Sequence, residues 1–146
     1  MFKNLFTKVN MKNENINILN GEARNPKKEC MNYEKKIKKH PIDLQILGIG
    51  INGHIAFNEP GSLKNSKTRL VELKHKAVKP KALTVGISTI MKSKKIILLA
   101  SGKKKAKAIK CLIKCKPNKC CPATFLKKHK DFTIIIDKKA GRLLAS

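Results

Sequence analysis

Ile42-Asp43-Leu44-Gln45-Ile46-Leu47-Gly48-Ile49-Gly50 is a mostly apolar run that ends in glycines. A strand buried on both faces of a parallel sheet reads this way, whereas a half-solvated strand alternates apolar and polar residues. Two more runs share the character, Lys95-Ile96-Ile97-Leu98-Leu99-Ala100 and Phe132-Thr133-Ile134-Ile135-Ile136. Between them, Lys103 to Cys115 places Ala106, Ile109, Leu112 and Ile113 along an apolar helical stripe, and Pro117-Asn118 ends that helix. Upstream, residues 28–39 read as a helix with Cys30, Met31, Tyr33 and Ile37 on a Lys/Glu background, opened by Asn25-Pro26 and stopped by His40-Pro41. The order strand, loop, strand, helix, strand, helix predicts an α/β fold with a largely parallel sheet. Ligands in such sheets bind beyond the carboxyl ends of the strands, which directs attention to residues 48–60.

The remaining segments are shorter. Phe2, Leu5, Phe6 and Val9 fall at i, i+3, i+4 and i+7 and predict one or two turns of amphipathic helix. Ile16, Ile18 and Leu19 predict a short strand or extended segment before an Asn20-Gly21 turn. Residues 51–67 read as loop, 69–73 as a short strand, and 81–90 as mixed strand and turn around Gly86. Residues 122–129 predict a short helix or turn, and 138–145 a last helical fragment.

The 146 residues carry 34 Lys+Arg against 9 Asp+Glu, a formal net charge of +25, and 41% of them are hydrophobic. That is the length of one domain, with enough apolar content for a core, although such a charge opposes compaction through self-repulsion. No apolar run is long enough for a transmembrane helix, and the residues after Met1 lack the apolar stretch of a secretory signal. The expectation is a cytoplasmic protein with no membrane partner. Its positive charge comes from 31 Lys and only 3 Arg: Arg24, Arg69 and Arg142. Lys is mostly a solvated point charge, whereas Arg makes bidentate phosphate and base-edge contacts. One Tyr, five Phe and no Trp leave little for stacking bases. Nucleic acid is therefore expected to bind only non-specifically and salt-sensitively. Lys, Ile and Asn together make 60 of the 146 residues and spread through the whole chain, which reads as compositional drift rather than a binding stripe.

Gly48-Ile49-Gly50-Ile51-Asn52-Gly53-His54 matches G-x-G-x-x-G. It runs on into His-Ile-Ala-Phe-Asn-Glu-Pro-Gly rather than into a helix, so it is not a dinucleotide fingerprint, and it lacks the Lys-Ser/Thr ending of a nucleotide loop. No cofactor is expected. The loop does offer Asn52, His54 and Glu59 close to a strand end. His is the side chain suited to moving protons near neutral pH, and a neighbouring carboxylate can orient it. The spacing alone equally suits a histidine bonded to backbone and a glutamate capping a turn.

The stretch from Asp43 through Gly48-Ile49-Gly50-Ile51-Asn52-Gly53-His54-Ile55-Ala56-Phe57-Asn58-Glu59-Pro60-Gly61-Ser62 closely resembles the signature of the glucosamine-6-phosphate deaminase family of amino-sugar catabolism. Further matches are Asn15 to Gly21, Thr68-Arg69, Pro80 to Thr89, Ile96 to Ala108, and Cys121-Pro122-Ala123-Thr124-Phe125-Leu126 followed by His129. The resemblance implies an enzyme that isomerises an open-chain amino-sugar phosphate through an enol-type intermediate and releases ammonia. It implies His54 as the base for ring opening, Glu59 as its assistant and Asn52 as the group that orients it. Lys81 would lie near the sugar phosphate, and Ser62 and Arg69 would match an effector site that only some members use.

The departures from the family pattern are large. Its N-terminal glycine/serine/threonine-rich phosphate loop and its Asp-Glu-Tyr segment, whose aspartate abstracts the C2 proton, have no counterpart among these residues. An Asn-x-Arg-Phe-Phe-like stretch is missing between Val78 and Lys79-Pro80. The expectation is a single partial sugar-phosphate isomerase/deaminase domain over 1–146. Its sheet would be an incomplete Rossmann-like one with parallel core strands and flanking helices. An apolar edge and face would be open, prone to homo-oligomer formation or other self-association, and little activity would remain in the chain alone. The rival reading is a non-catalytic basic binding module that keeps the fold. Cys30, Cys111, Cys115, Cys120 and Cys121 are five, which does not suit a disulfide framework. The spacing of the last four, with His129 beyond, admits soft-metal ligation but is not C-x2-C, so free thiols and no metal are expected. The lysines between Lys103 and Lys119 read as a solvated helix face.

Overall fold

Residues 2–73 and 80–144 are described by a computed structural model. In chain order the regular elements are α1 (Pro26–Lys39), β1 (Leu44–Gly48), β2 (Arg69–Glu72), β3 (Lys81–Thr84), α2 (Ile87–Ile90), β4 (Lys95–Ala100), α3 (Ala106–Lys114), β5 (Phe132–Ile136) and α4 (Lys138–Gly141). Short 3-10 turns lie at Phe6–Lys8, Asn13–Asn15, Lys103–Lys105 and Pro122–Lys128. The expected gap between Val78 and Lys79-Pro80 lies outside the described residues.

Each of the three apolar runs forms a strand. They make one parallel sheet in the order β1-β4-β5, with Leu47 beside Leu98 and Leu98 beside Ile134. β2 and β3 form a separate antiparallel ribbon in which Arg69 is opposite Thr84 and Glu72 opposite Lys81. Leu47, Ile96, Leu98 and Ala100 point to one side of the sheet and pack with Ala108, Ile109 and Leu112 of α3, Ala123 and Leu126 of the last 3-10 turn, and Ala140 of α4. Ile55 and Ile90 complete this core, and each fully buried Ile or Leu contributes about 1.5–3 kcal/mol.

The other side of the sheet is open. Leu44, Ile46 (58% exposed), Leu99 and Ile135 (53% exposed) all face solvent. The reading of these runs as strands buried on both faces therefore holds on one face only. The helices and turns that cover the sheet all pack on the Leu47–Leu98 side, and no described residue covers the other. The outer edge of β1 is also unpaired among the described residues.

Two N-terminal expectations change. The amphipathic helix is a single 3-10 turn, with Phe2, Leu5 and Val9 exposed and Phe2 meeting Phe6 edge to face at 5.2 Å. With Phe2, Leu5 and Val9 docked on no described apolar surface, a segment this short cannot repay helix nucleation. Ile16–Leu19 takes the extended alternative and pairs with no described strand. By contrast α1 forms as its signals predict. Asn25 Oδ1 accepts the Lys28 N–H at 2.9 Å, Pro26 opens the first turn, and His40 caps the end before Pro41.

Glu34 anchors α1 to the rest of the fold. Its Oε1 accepts the Thr68 N–H (2.9 Å), the Thr68 hydroxyl (2.6 Å) and the Thr89 hydroxyl (2.6 Å). Burial acts to raise this carboxyl, but the three hydrogen bonds and nearby Lys92 outweigh it and hold it below its ordinary value. A carboxylate lowered in the folded state stabilises above its unfolded value, and that contribution is lost as pH falls through the folded one. Thermal melts should therefore show stability falling as pH drops below about 4.3, and Glu34→Gln should flatten that fall. On the open face, Ile46→Thr and Ile135→Thr should change stability by less than about 0.5 kcal/mol and reduce binding of a hydrophobic dye. Leu98→Ala should cost about 2–5 kcal/mol in denaturant unfolding.

Candidate active site at the carboxyl end of β1

After Gly48 the chain leaves β1 and turns back on itself. The Gly53 N–H donates to the Gly50 carbonyl at 3.0 Å, and the Gly50 N–H donates to the His54 carbonyl at 2.9 Å. This return lays the His54 imidazole directly over Gly50, where a Cβ would come within 2.4–2.6 Å of ring atoms. Gly53 has φ +83, and a side chain there would meet Cys121 Sγ at 2.4 Å.

The turn brings Asn52, His54 and Glu59 together. Glu59 Oε1 lies 2.9 Å from His54 Nδ1, and both side chains stay about 30% exposed (32% for His54, 30% for Glu59). Asn52 spans the pair: its Nδ2 donates to Glu59 Oε2 at 2.7 Å and its Oδ1 accepts the His54 N–H at 3.2 Å. An ionised carboxylate only accepts, so Glu59 favours a proton on Nδ1 and leaves Nε2 as the basic nitrogen. The arrangement can take a proton from, or return one to, a hydroxyl placed at Nε2.

Beyond His54 the loop is pinned from below. Asn58 is fully buried, and its Nδ2 donates to the carbonyls of Ile55 (3.0 Å) and Val85 (2.9 Å) while its Oδ1 accepts from Arg69 Nη1 (2.8 Å). Thr84 Oγ1 accepts the Phe57 N–H at 3.1 Å. Between them Ala56 is held at φ +49, a conformation an L residue adopts only when its surroundings impose it. Gly61 N–H reaches the Lys119 carbonyl at 2.8 Å, and Ala123 N–H reaches the Gly53 carbonyl at 2.9 Å. The 118–124 segment thus clamps both ends of the loop.

Ser62 and Arg69 also meet, with Nη2 3.2 Å from the serine hydroxyl. They border an open groove of about 610 Å³ together with Phe57, Glu59, Leu63 and Glu72. Burial lowers the Arg69 guanidinium from its ordinary value. Lys81 is not brought to the cluster; it opens β3, exposed and opposite Glu72 on the ribbon. The lysine that does reach the loop is Lys105, whose Nζ donates to the Ile49 carbonyl at 2.6 Å. It follows the Gly102 turn (φ +89) at the carboxyl end of β4, next to β1 in the sheet. That position was readable from Ser101-Gly102 after an apolar run, but the flanking lysines disguised it, and the reading of this run as wholly solvated fails at Lys105.

The other titratable candidates are engaged away from the cluster. Asp43 pairs with Lys94 at 2.6 Å. Asp137 caps α4 through the Ala140 N–H and accepts the Ser101 hydroxyl and the Gly102 N–H, which hold it below its ordinary value. The His129 ring lies between two backbone carbonyls, with Nε2 2.8 Å from that of Ser93 and Nδ1 2.9 Å from that of Asp131, a structural role. No cluster of three or more His, Cys, Asp or Glu suited to a metal ion occurs among the described residues. No helix among them is long and apolar enough to cross a membrane.

The family model described as Glucosamine-6-phosphate isomerases/6-phosphogluconolactonase matches residues 1–135. The chain belongs to this family. It is 49% identical to the glucosamine-6-phosphate deaminase of Thermoanaerobacter sp. (strain X514), over 99% of this chain and 62% of that protein. It is 46% identical to the protein of the same name from Alkaliphilus oremlandii (strain OhILAs), over 99% of this chain and 66% of that protein. The chain thus spans about two thirds of these relatives' length. Its alignment with the Thermoanaerobacter protein runs over 158 positions against a chain of 146, so relatives hold internal residues that it lacks. Among solved structures, a monomeric glucosamine-6-phosphate deaminase superposes with a TM-score of 0.83 at 41% identity, covering 87% of this chain and 58% of that one. A 6-phosphogluconolactonase from Thermotoga maritima shares the fold, with a TM-score of 0.73 at 24% identity over 90% of this chain and 60% of that one.

Within this glucosamine-6-phosphate isomerase fold, two substitutions test the loop's construction. Gly50→Ala should displace the His54 ring, seen as altered imidazole chemical shifts, at a cost of about 1–3 kcal/mol from overpacking. Asn58→Ala leaves buried partners unpaired and should cost at least about 2 kcal/mol in denaturant unfolding.

Proposed function

We propose that this chain carries the amino-sugar-phosphate site of a glucosamine-6-phosphate deaminase, and that its own chemical contribution is proton transfer at the sugar ring by His54. The complete reaction converts D-glucosamine 6-phosphate and water to D-fructose 6-phosphate and ammonia, in amino-sugar catabolism and in the cytoplasm. The observation that carries the reading is the Asn52–His54–Glu59 cluster at the carboxyl end of β1.

Ring opening requires that the C1 hydroxyl lose a proton and the ring oxygen gain one. His54 Nε2 can accept the first and return it to the second, while Glu59 stabilises the imidazolium between the two transfers. Asn52 keeps the carboxylate aligned with the ring. Lys105, tied to the Ile49 carbonyl, supplies positive charge beside the loop for an anionic substrate. Lys81, which the resemblance sets near the phosphate, stands outside this cluster, and Ser62 with Arg69 forms the candidate effector position beside the groove.

Enolisation then needs a second base at C2, and the phosphate needs several oriented donors. Of the carboxylates, Glu59 is committed to His54, Glu34 to two threonines, Asp43 to Lys94 and Asp137 to a helix cap. On this reading the chain supplies the ring-opening part of the site, within a single partial domain.

Two measurements test this. Titration with glucosamine 6-phosphate should shift the His54 imidazole resonances, and no shift at saturating sugar phosphate would remove the substrate assignment. Ammonia release by the pure 146-residue chain should be undetectable; robust turnover abolished by His54→Ala would show that the chain holds the complete machinery.

A further inference from the structure

Cys111 and Cys115 stand one turn apart at the end of α3, and their Sγ atoms lie 3.2 Å from each other. Helical residues four apart share a face with Cα atoms about 6 Å apart, which falls within the roughly 4.4–6.8 Å that a disulfide spans. Cys115 is the C-cap residue, with φ −80 and ψ 148, so its backbone has already left the helix and closure need not bend a continuous one. Cys115 is exposed and Cys111 partly sheltered. A reactant therefore has access to one sulfur, with the second waiting behind it.

The surroundings are cationic. Lys127 Nζ bonds the carbonyls of Ile113 (3.1 Å) and Cys115, and its charge acts on both thiols. Lys114 and Lys116 flank Cys115 and are exposed. Neither thiol takes part in the His54 cluster. Cys111 also interacts with Cys121, the residue whose sulfur packs beneath Gly53 of the site loop.

We propose that Cys111 and Cys115 form a reversible dithiol–disulfide site that reacts with anionic low-molecular-weight disulfides. The exposed Cys115 thiolate attacks one sulfur of the small disulfide, forming a mixed disulfide and releasing one small thiolate. The Cys111 thiolate then attacks Cys115 Sγ, closes the protein disulfide and releases the second small thiolate. The two protons from the cysteines end on the two released thiols, so the protein dithiol is oxidised as the small disulfide is reduced. Burial pushes the Cys111 thiol above its ordinary value, and the contact with Cys111 does the same for Cys115. The resting form is accordingly the protonated dithiol, and reaction runs through its thiolate fraction.

The test is incubation of the folded chain with oxidised glutathione. The expected product has lost two titratable thiols and the mass of two hydrogens. Trypsin cuts after Lys114 but not at Lys116-Pro117, so peptides 111–114 and 115–119 should be recovered joined by a disulfide. Cys111→Ser and Cys115→Ser should each stop at a glutathione adduct on the remaining sulfur, while Cys120→Ser should close as the wild type does. Phenylarsine oxide gives a reading independent of oxidation: one arsenic per chain, lost in either serine variant. Closure through Cys120 or Cys121, glutathione retained on both sulfurs of the wild type, or no loss of thiols would each overturn the proposal.

Discussion

A fully buried asparagine amide has to find all its hydrogen-bond partners inside the fold, because leaving one unmade costs about 1–3 kcal/mol. Asn58 meets that demand across three segments: the turn at Ile55, Val85 just after β3, and the first residue of β2 at Arg69. The loop between β1 and β2 is consequently tied to the ribbon at its midpoint. The 118–124 segment ties it at both ends through Gly53 and Gly61. With those three points fixed, the strained Ala56 and the return of His54 over Gly50 follow from chain geometry. The Asn52–His54–Glu59 cluster is thus supported by residues 50–69, 84–85 and 118–124.

The sheet beneath has a different balance. One face buries Leu47, Ile96, Leu98 and the α3 stripe, while the other presents Leu44, Ile46, Leu99 and Ile135 to solvent. An open apolar face beside an unpaired strand edge invites association. The net charge of +25 opposes contact between like copies, with a strength that salt screens. The same excess of lysine that first suggests nucleic acid thus acts here on colloidal behaviour. At Lys105 and Lys127, single lysines within it have specific structural partners.

Much of this was legible in the residues. Apolar runs marked β1, β4 and β5, and Asn25-Pro26 with His40-Pro41 bounded α1 closely, because caps and proline act locally. Asn52, His54 and Glu59 were readable as a cluster because all three lie on one loop. What escaped reading depends on distant contacts. A continuous apolar strand looks the same whether one face or two are covered, so the open face could be inferred only from the family pattern. Lys105 reaches the site across 56 residues of sequence, hidden in a lysine run. Phe2, Leu5 and Val9 have helical spacing but no described surface to dock on, and periodicity alone cannot supply one. The Cys111–Cys115 approach needed side-chain geometry, since i, i+4 spacing equally describes two thiols that never meet.

A loop tied in this way should be held as firmly as the core. Native-state hydrogen exchange at the Gly50, Asn58 and Ala123 amides measures this directly, since each donates to a named carbonyl of the scaffold. Protection at all three should approach that of Leu98 in the central strand. Exchange at the rate of an exposed loop, with Leu98 still protected, would contradict it.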